Sequence, residues 1–414
     1  MTSILTYLSE GSATTRIGTA YTSIRRSNLA TSFRYEPDYI ARTGAYSIDP
    51  ELPLAGGTSS RAILRTGLPG AFGDAAPDRW GRNMISKRLR AAALDEGRSP
   101  PSIDEVDYLL GVSDSTRQGA LRFKTDETGD FLHSGVEVPK LIALPRLRRA
   151  AEKVASSDPD DMTAIKELLD AGTGSLGGAR PKASVRDGDQ LYIAKFTHPD
   201  DEWSVIAWEK TALDLAESAG ISVPRRELVR VDDHDVLLLE RFDRRSEERI
   251  GYISAMTLLQ STDGTHRDYV EIAEALADHG SRPAADLEEL WRRVAFSVAI
   301  NNTDDHLRNH GFLHRDSGWQ LSPAFDINPN PNISSARVTS IGGSSDRSTD
   351  LLGLMSYAAT FGVSGTRARA IISEIVGATK NYRDVARRNS VPSAEIVRFS
   401  ATLDVTIAAL AEAN

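Results

Sequence analysis

Asn301-Asn-Thr-Asp304-Asp-His306-Leu-Arg-Asn309 is the stretch on which the reading of this chain turns. It follows an apolar segment, residues 294–300, that ends a predicted helix. A carboxylate and an asparagine five residues apart do complementary work. The acid orients a hydroxyl and accepts its proton, while the asparagine carbonyl oxygen binds a divalent cation and leaves the acid free. Two other readings fit the same letters. The acids could cap a helix and stay solvated, or Asp304, Asp305, His306 and His310 could hold a metal. A metallohydrolase needs further ligands elsewhere, and the sequence offers no convincing second cluster.

Downstream, Leu321-Ser-Pro-Ala-Phe325-Asp326-Ile-Asn-Pro329 puts a second carboxylate on a loop braced by Pro323 and Pro329. There it can chelate a Mg2+ that bridges two phosphates. Upstream, Gly172-Thr-Gly-Ser-Leu-Gly-Gly-Ala-Arg-Pro-Lys182 contains G-x-G-x-x-G at Gly172, Gly174 and Gly177. A predicted helix precedes this loop and a hairpin follows it, which is not the strand-then-helix setting of a dinucleotide turn. No Gly-Lys-Ser/Thr ends it, so it is not a Walker A loop. It is either a loop whose backbone N–H groups cradle phosphates or a plain linker.

Tyr192-Ile-Ala-Lys195-Phe196 ends a strand in a lysine, and a half-buried ammonium needs an anion. Phosphates supply one. Glu209 on the next predicted helix is the natural carboxylate for an ion pair with Lys195, with Glu202 as its rival. Val236-Leu-Leu-Leu-Glu240-Arg241-Phe242-Asp-Arg244 runs an apolar strand into a charged segment. That suits a hinge where backbone groups meet adenine and an aromatic ring closes the pocket, or a sheet strand leaving the core. In order, glycine loop, strand lysine, helix glutamate, Asp-x4-Asn and a later Asp form the series that protein kinases use.

The bulk properties agree with an ordinary globular protein. A length of 414 residues suits two or three cores, and 40% hydrophobic with 26% charged residues is a usual soluble composition. No apolar run reaches the ~18 residues of a membrane span. Residues 1–18 lack the basic start and apolar stretch of a secretory signal. The absence of cysteine excludes disulfides, thiolate catalysis and cysteine-ligated zinc, and fits a cytoplasmic protein. A net charge of -9 allows DNA contact only through a local basic patch or a basic partner.

The chain divides into three stretches. In residues 1–125, short strands are expected at 20–24, 32–35 and 45–48, then a basic helix over 81–90 that Asp78 can cap, and another over 103–110. Residues 125–145 read as a linker. Helices follow at 144–155 and 162–171, then strands at 182–186 and 191–196 around Asp187-Gly188-Asp189. A helix over 203–219 stops at Gly220, and strands at 226–231 and 236–240 come next. Later helices are expected over 269–279, 286–300, 366–379 and 393–413.

At this point the residues resemble a family. Ser175-Leu-Gly-Gly-Ala-Arg-Pro-Lys182, the strand ending in Lys195, Glu240-Arg-Phe-Asp-Arg244, Asn302-Thr-Asp-Asp-His-Leu-Arg-Asn309 and Pro323-Ala-Phe-Asp326 together resemble HipA-type serine/threonine kinase toxins. Pro77-Asp-Arg-Trp-Gly-Arg82, and the run from Asp107 through Arg117-Gln-Gly-Ala-Leu-Arg-Phe123, resemble the accessory N-terminal domain of that family. The resemblance spans nearly the whole chain. One departure is the helix that precedes the glycine loop.

The resemblance implies an α+β, bilobal protein-kinase-like fold. An accessory β-containing domain would occupy 1–125, a β-rich N-lobe 126–245 and a helical C-lobe 246–414. It implies ATP and Mg2+ as cofactors, Asp304 as the catalytic acid/base, and Asn309 and Asp326 as metal ligands. Gly177, Gly178, Ala179, Arg180, Pro181, Lys182 and Lys195 would hold phosphates, with His306 nearby. Glu240, Arg241, Phe242 and Phe325 would belong to the nucleotide site, Glu240 and Phe242 lining the adenine pocket. Ser175 would be autophosphorylated, adding roughly two negative charges where ATP phosphates belong. The implied partners are a protein substrate, such as an aminoacyl-tRNA synthetase, and a helix-turn-helix antitoxin of HipB type, with DNA met only through the antitoxin and no membrane. A small-molecule phosphotransferase of aminoglycoside or choline kinase type shares the Asp-x4-Asn logic but leaves the N-terminal motifs unexplained. An inactive kinase-like co-repressor is the non-enzymatic alternative.

Overall fold

Threonine, serine and scattered apolar residues at the start of the chain build a sheet. In the computed structural model, which describes residues 2–25, 28–57, 67–132, 137–155, 161–172, 180–246 and 248–412, β1 (Thr2–Glu10) and β2 (Ala13–Arg25) form a hairpin. Gly11 turns it with φ +58°, a conformation glycine adopts without steric cost. β3 (Asn28–Tyr35) pairs with β2, and β4 (Leu121–Lys124) returns antiparallel to β1, giving the order β3-β2-β1-β4. In the central strand Ile4, Leu5, Thr6 and Leu8 are all buried. A strand covered on both faces shows no two-residue alternation, so residues 1–18 do not announce it. The expected strands at 20–24 and 32–35 lie inside β2 and β3, whereas 45–48 is irregular, tied down where Ile48 N donates to Tyr35 Oη at 3.1 Å. Edge-on rings fill the core beneath, with Phe33–Phe72 centroids 5.8 Å apart and Phe72–Phe123 5.0 Å apart.

These elements belong to the first of two compact units, Met1–Asp200 with Arg230–Ile253. The helix Arg79–Asp95 starts at Asp78, whose Oδ1 accepts Gly81 N at 2.7 Å. The helix Glu105–Gly111 has a reciprocal capping box between Asp104 and Asp107. Arg117 is fully buried and donates to the carbonyls of Ala75, Leu109 and Val112 at 2.8, 3.0 and 3.1 Å. Burial pushes its guanidinium down to about 9, against the attraction of Asp114. A planar fork can serve three carbonyls in this way, and a lysine cannot.

β5 (Lys182–Asp187) and β6 (Gln190–Lys195) pair from Lys182↔Lys195 to Asp187↔Gln190, with Gly188 at φ +56° in the turn. β7 (Arg226–Val231) and β8 (His234–Glu240) flank a turn in which Asp232 and Asp233 both have positive φ. β8 pairs antiparallel with β6, Tyr192 opposite Glu240. The helices Leu144–Ala155 and Met162–Asp170 pack on each other, and the latter also packs on Arg79–Asp95. Arg186 N donates to Pro139 O at 2.8 Å, so the end of the stretch read as a linker is bonded to β5.

The second unit, Asp201–Val229 with Ser254–Asn414, is mostly helical. The helix Pro283–Ala299 packs against Tyr269–His279, Gly365–Thr379 and Ser393–Glu412. Every residue from 290 to 299 is buried, the pattern of a helix at the centre of a bundle. In the helix Val205–Ser218, Trp208 stacks on Phe399 with centroids 3.9 Å apart and donates Nε1 to Glu395 Oε2 at 3.1 Å. Among the described residues no helix is long and apolar enough to cross a membrane.

Candidate active site

The buried helix Pro283–Ala299 delivers the Asp-x4-Asn loop. It ends through Ile300 into Asn301, whose φ of +52° breaks the helix, and asparagine tolerates that conformation better than most residues. Asn301 Nδ2 donates to the carbonyls of Asn330 and Asn332 at 2.8 and 3.1 Å, and Asn330 N returns to Asn301 O at 3.2 Å. Asn330 Nδ2 reaches Thr303 Oγ1 at 2.8 Å. The loop that carries Asp304 is thereby zipped to the loop that carries Asp326. Arg337 holds it from another side, donating to Asn302 O at 3.1 Å while paired with buried Asp350.

Within the loop Asn309 Nδ2 donates to Asp304 O at 3.1 Å. That bond fixes the amide orientation and turns Oδ1 the other way, as a ligand oxygen would be. Asp304 is exposed and Asp326 half-buried. Desolvation raises the Asp304 carboxyl above its ordinary range, repulsion from Asp326 and Asp305 adds to this, and His306 opposes it. Asp326 has φ +56° and accepts from Asn328 Nδ2 at 3.4 Å. The structure thus brings Asp304, Asn309, His306 and Asp326 together. Buried polar atoms here also lack a partner, namely His306 Nδ1, Asn302 Oδ1 and Asn328 Oδ1. Such atoms are costly unless a ligand or water meets them. The Asp326 carboxylate and the Asn309 amide oxygen are hard oxygen donors that fit Mg2+ carrying phosphate oxygens, with Asp304 left free beside them. A cavity of about 400 Å3 opens beside the loop, lined by His266, Arg267, His306, Arg308 and Thr339 among others.

Asp305 and His310, included in the metal-site reading, face inward. Asp305 Oδ2 accepts from Tyr269 Oη at 2.6 Å and from Ser297 Oγ at 3.1 Å, while His310 Nε2 lies 3.1 Å from Oδ1. Burial alone would raise this carboxyl, but His310 and the two hydroxyls hold it down at about 2. Because the folded value lies below the ordinary 3.8, the stabilisation is fully present above that value and is lost as pH falls through about 2. The shift corresponds to about 2–3 kcal/mol. Asp305→Asn should lower the urea-unfolding free energy by that amount at pH 7, with the gap to wild type closing below about pH 3. An unchanged urea midpoint at pH 7 would remove Asp305 as an anchor.

Of the remaining expected residues, Lys182, Lys195 and Glu240 lie on the sheet of the first unit. Lys195 is buried at the end of β6. Lys182, across from it on β5, is 1% exposed and bonds through Nζ to Asp78 Oδ2. Glu240 ends β8 half-buried, and Phe242 lies 6.4 Å from Tyr252. The Arg241 guanidinium turns toward Asp243 and the carbonyls of Thr116 and Arg117. Arg180 and Pro181 are described, whereas Gly174, Ser175, Gly177, Gly178 and Ala179 lie outside the described residues. In the helical unit Glu209 is buried in Val205–Ser218, while Glu202 is exposed and paired with Arg398 at 3.0 Å. Phe325 is half-buried next to Asp326. Sequence reasoning did not single out Asp305, Asn301 or Asn330 as the framework of the loop. Two asparagines ahead of the Asp pair, answered by Asn-Pro-Asn-Pro-Asn at 328–332, were the available signal.

Comparison with known proteins assigns the class. Residues 174–382 match the model of the HipA-like C-terminal domain, and residues 13–123 match the HipA N-terminal domain. The chain belongs to the HipA family. It is 25% identical over 267 residues to the serine/threonine-protein kinase toxin HipA of Shewanella oneidensis, covering 55% of this chain and 60% of that protein. It is 24% identical over 187 residues to a putative kinase of Haemophilus influenzae, covering 38% and 54%. The matches thus span between about half and three-fifths of these relatives' lengths. Among solved structures it resembles HipA from the Shewanella oneidensis MR-1 complex of HipA, HipB and operator DNA, with a TM-score of 0.70 and 16% identity over 98% of this chain and 96% of that one. The fold is that of HipA, a kinase-like α+β fold.

Proposed function

We propose that this chain is an ATP- and Mg2+-dependent serine/threonine protein kinase that works in the cytoplasm as the toxin of a toxin–antitoxin pair. The observation that carries the reading is the loop in which the Asn309 amide closes on the main-chain carbonyl of Asp304 while Asp326 raises the Asp304 carboxyl. Asp304 orients the acceptor hydroxyl and takes its proton. Asn309 and Asp326 hold Mg2+, which when bound neutralises charge on the phosphates. Lys195 and residues 177–182 serve the phosphates, Glu209 keeps the counter-charge role for Lys195, and Glu240 and Phe242 serve adenine. Arg241 is engaged with Asp243 and backbone carbonyls, so we assign it to the support of that segment. The acceptor is a protein hydroxyl, with aminoacyl-tRNA synthetases as the first candidates. A helix-turn-helix protein of HipB type restrains the toxin and carries any DNA contact.

The decisive experiment is phosphoproteomics after brief expression of the intact protein beside Asp304→Ala. New phosphoproteins that depend on Asp304 are expected. None, or the same set with the variant, would refute the reading. For Ser175, mass spectrometry of purified protein should find one phosphate that Ser175→Ala lacks, with ATP turnover still measurable. An unchanged phosphorylated mass in the variant would refute Ser175 as the site.

A further inference from the structure

Lys182 and Lys195 stand directly opposite each other on neighbouring antiparallel strands. Phe196 N donates to Pro181 O just beyond them, which makes this a non-hydrogen-bonded pair, the kind whose side chains lie closest and on one face. Both lysines are buried, to 1% and 7% exposure. Like charges facing each other across strands repel, and burial sharpens the repulsion. The carboxylate that answers comes from far along the chain. Asp78, 5% exposed, spends Oδ1 on the cap of Arg79–Asp95 and Oδ2 on Lys182 Nζ.

Three further relations tie the same N-terminal region to the chain near these strands. A methyl group added at Gly172, where the glycine loop begins, would overlap the Thr116 side chain. After β8, Gly119 N donates to Asp243 Oδ2 at 2.8 Å, and Arg244 Nη1 donates to Gly119 O at 3.1 Å.

We infer that Asp78 is a positioning residue for nucleotide binding: it neutralises Lys182 so that Lys182 and Lys195 stand side by side as a two-cation site for the phosphates of Mg·ATP. This rests on the kinase reading above. Without the Asp78 carboxylate, the buried Lys182 ammonium loses the contact that fixes its direction and the repulsion from Lys195 is no longer offset there, so the paired geometry shifts.

Asp78→Asn addresses this role, because asparagine caps a helix as well as aspartate does while an uncharged amide nitrogen replaces the oxygen that meets Lys182. With the full chain, calorimetric titration of Mg·ATP should show a Kd raised roughly tenfold or more in Asp78→Asn. KM for ATP should rise in parallel with kcat within about twofold. Asp78→Glu should recover part of the loss. A purely structural role would lower Tm and leave Kd and KM alone. If Asp78→Asn folds poorly, Lys182→Met and the double variant Asp78→Asn/Lys182→Met decide instead. Equal Kd values in these two support one unit, and independent additive losses overturn it. Wild-type protein that binds no Mg·ATP defeats the kinase reading and this inference with it. Wild-type protein that binds, with Asp78→Asn binding equally well, defeats this inference alone.

Discussion

Asp304→Asn should cut phosphoryl transfer by about 10²–10⁴-fold while leaving Mg·ATP affinity within a few-fold of wild type. Asparagine keeps the shape of the side chain but cannot accept the hydroxyl proton, and general-base catalysis is worth about that factor. The main-chain carbonyl of residue 304, which takes the Asn309 amide, is untouched by the change. Binding and chemistry therefore separate. The pH profile gives a second check. Desolvation, with Asp326 and Asp305 nearby, raises the Asp304 carboxyl against the pull of His306. Activity needs the ionised form, so the acid limb should fall at a pH above the 3.8 of an ordinary aspartate. Transfer that survives Asp304→Asn at near wild-type rates would leave the reading without its base.

Asp326→Asn should show a different pattern: weakened Mg·ATP binding together with a loss of transfer on the order of 10²–10³-fold. A metal that neutralises developing charge is worth several kcal/mol, and each 1.36 kcal/mol is about tenfold in rate. The choice of variant matters because Asp326 has φ +56°. Asparagine tolerates that backbone, whereas alanine adds strain of about 1–2 kcal/mol and would mix a folding defect into the result. The asparagine variant should melt within about 2 °C of wild type, since its cost in stability is well under 1 kcal/mol. Raising Mg2+ should recover part of the activity. Titrations that show the same Mg·ATP affinity in both proteins would dismiss Asp326 as a metal ligand.

The sequence reading is most accurate where structure is decided locally. The helices Leu144–Ala155 and Tyr269–His279 lie where the apolar spacing put them, and the β5–β6 hairpin turns at Asp187-Gly188 as its chemistry required. Asp304 and Asp326 come within electrostatic reach because the loop that follows one buried helix is bonded through Asn301 and Thr303 to the loop at 330–332. What the sequence hid was long-range. β1 is covered on both faces and completed by β4 from far along the chain, so its letters show no alternation. The partner of Lys182 comes from residue 78, and the guanidinium of Arg241 ends on backbone carbonyls that have no sequence signature. Asp305 could not be told from Asp304 by type; only the inward hydroxyls of Tyr269 and Ser297 distinguish the buried anchor from the exposed acid.

The carbonyls of Thr116, Arg117 and Gly119 that receive Arg241 and Arg244 bear on how this protein can be taken apart at the bench. A recombinant fragment starting at residue 126 would keep the whole Asp-x4-Asn loop yet lose these acceptors and the carboxylate of Asp78. Buried Lys182 would lose the Asp78 carboxylate, and two guanidinium groups would keep only Asp243 of their present partners outside water. Cloning boundaries drawn by analogy with free-standing kinases would therefore yield insoluble material. Soluble dissection should instead keep everything from the first strand through the helix Ser393–Glu412, whose Phe399 stacks on Trp208.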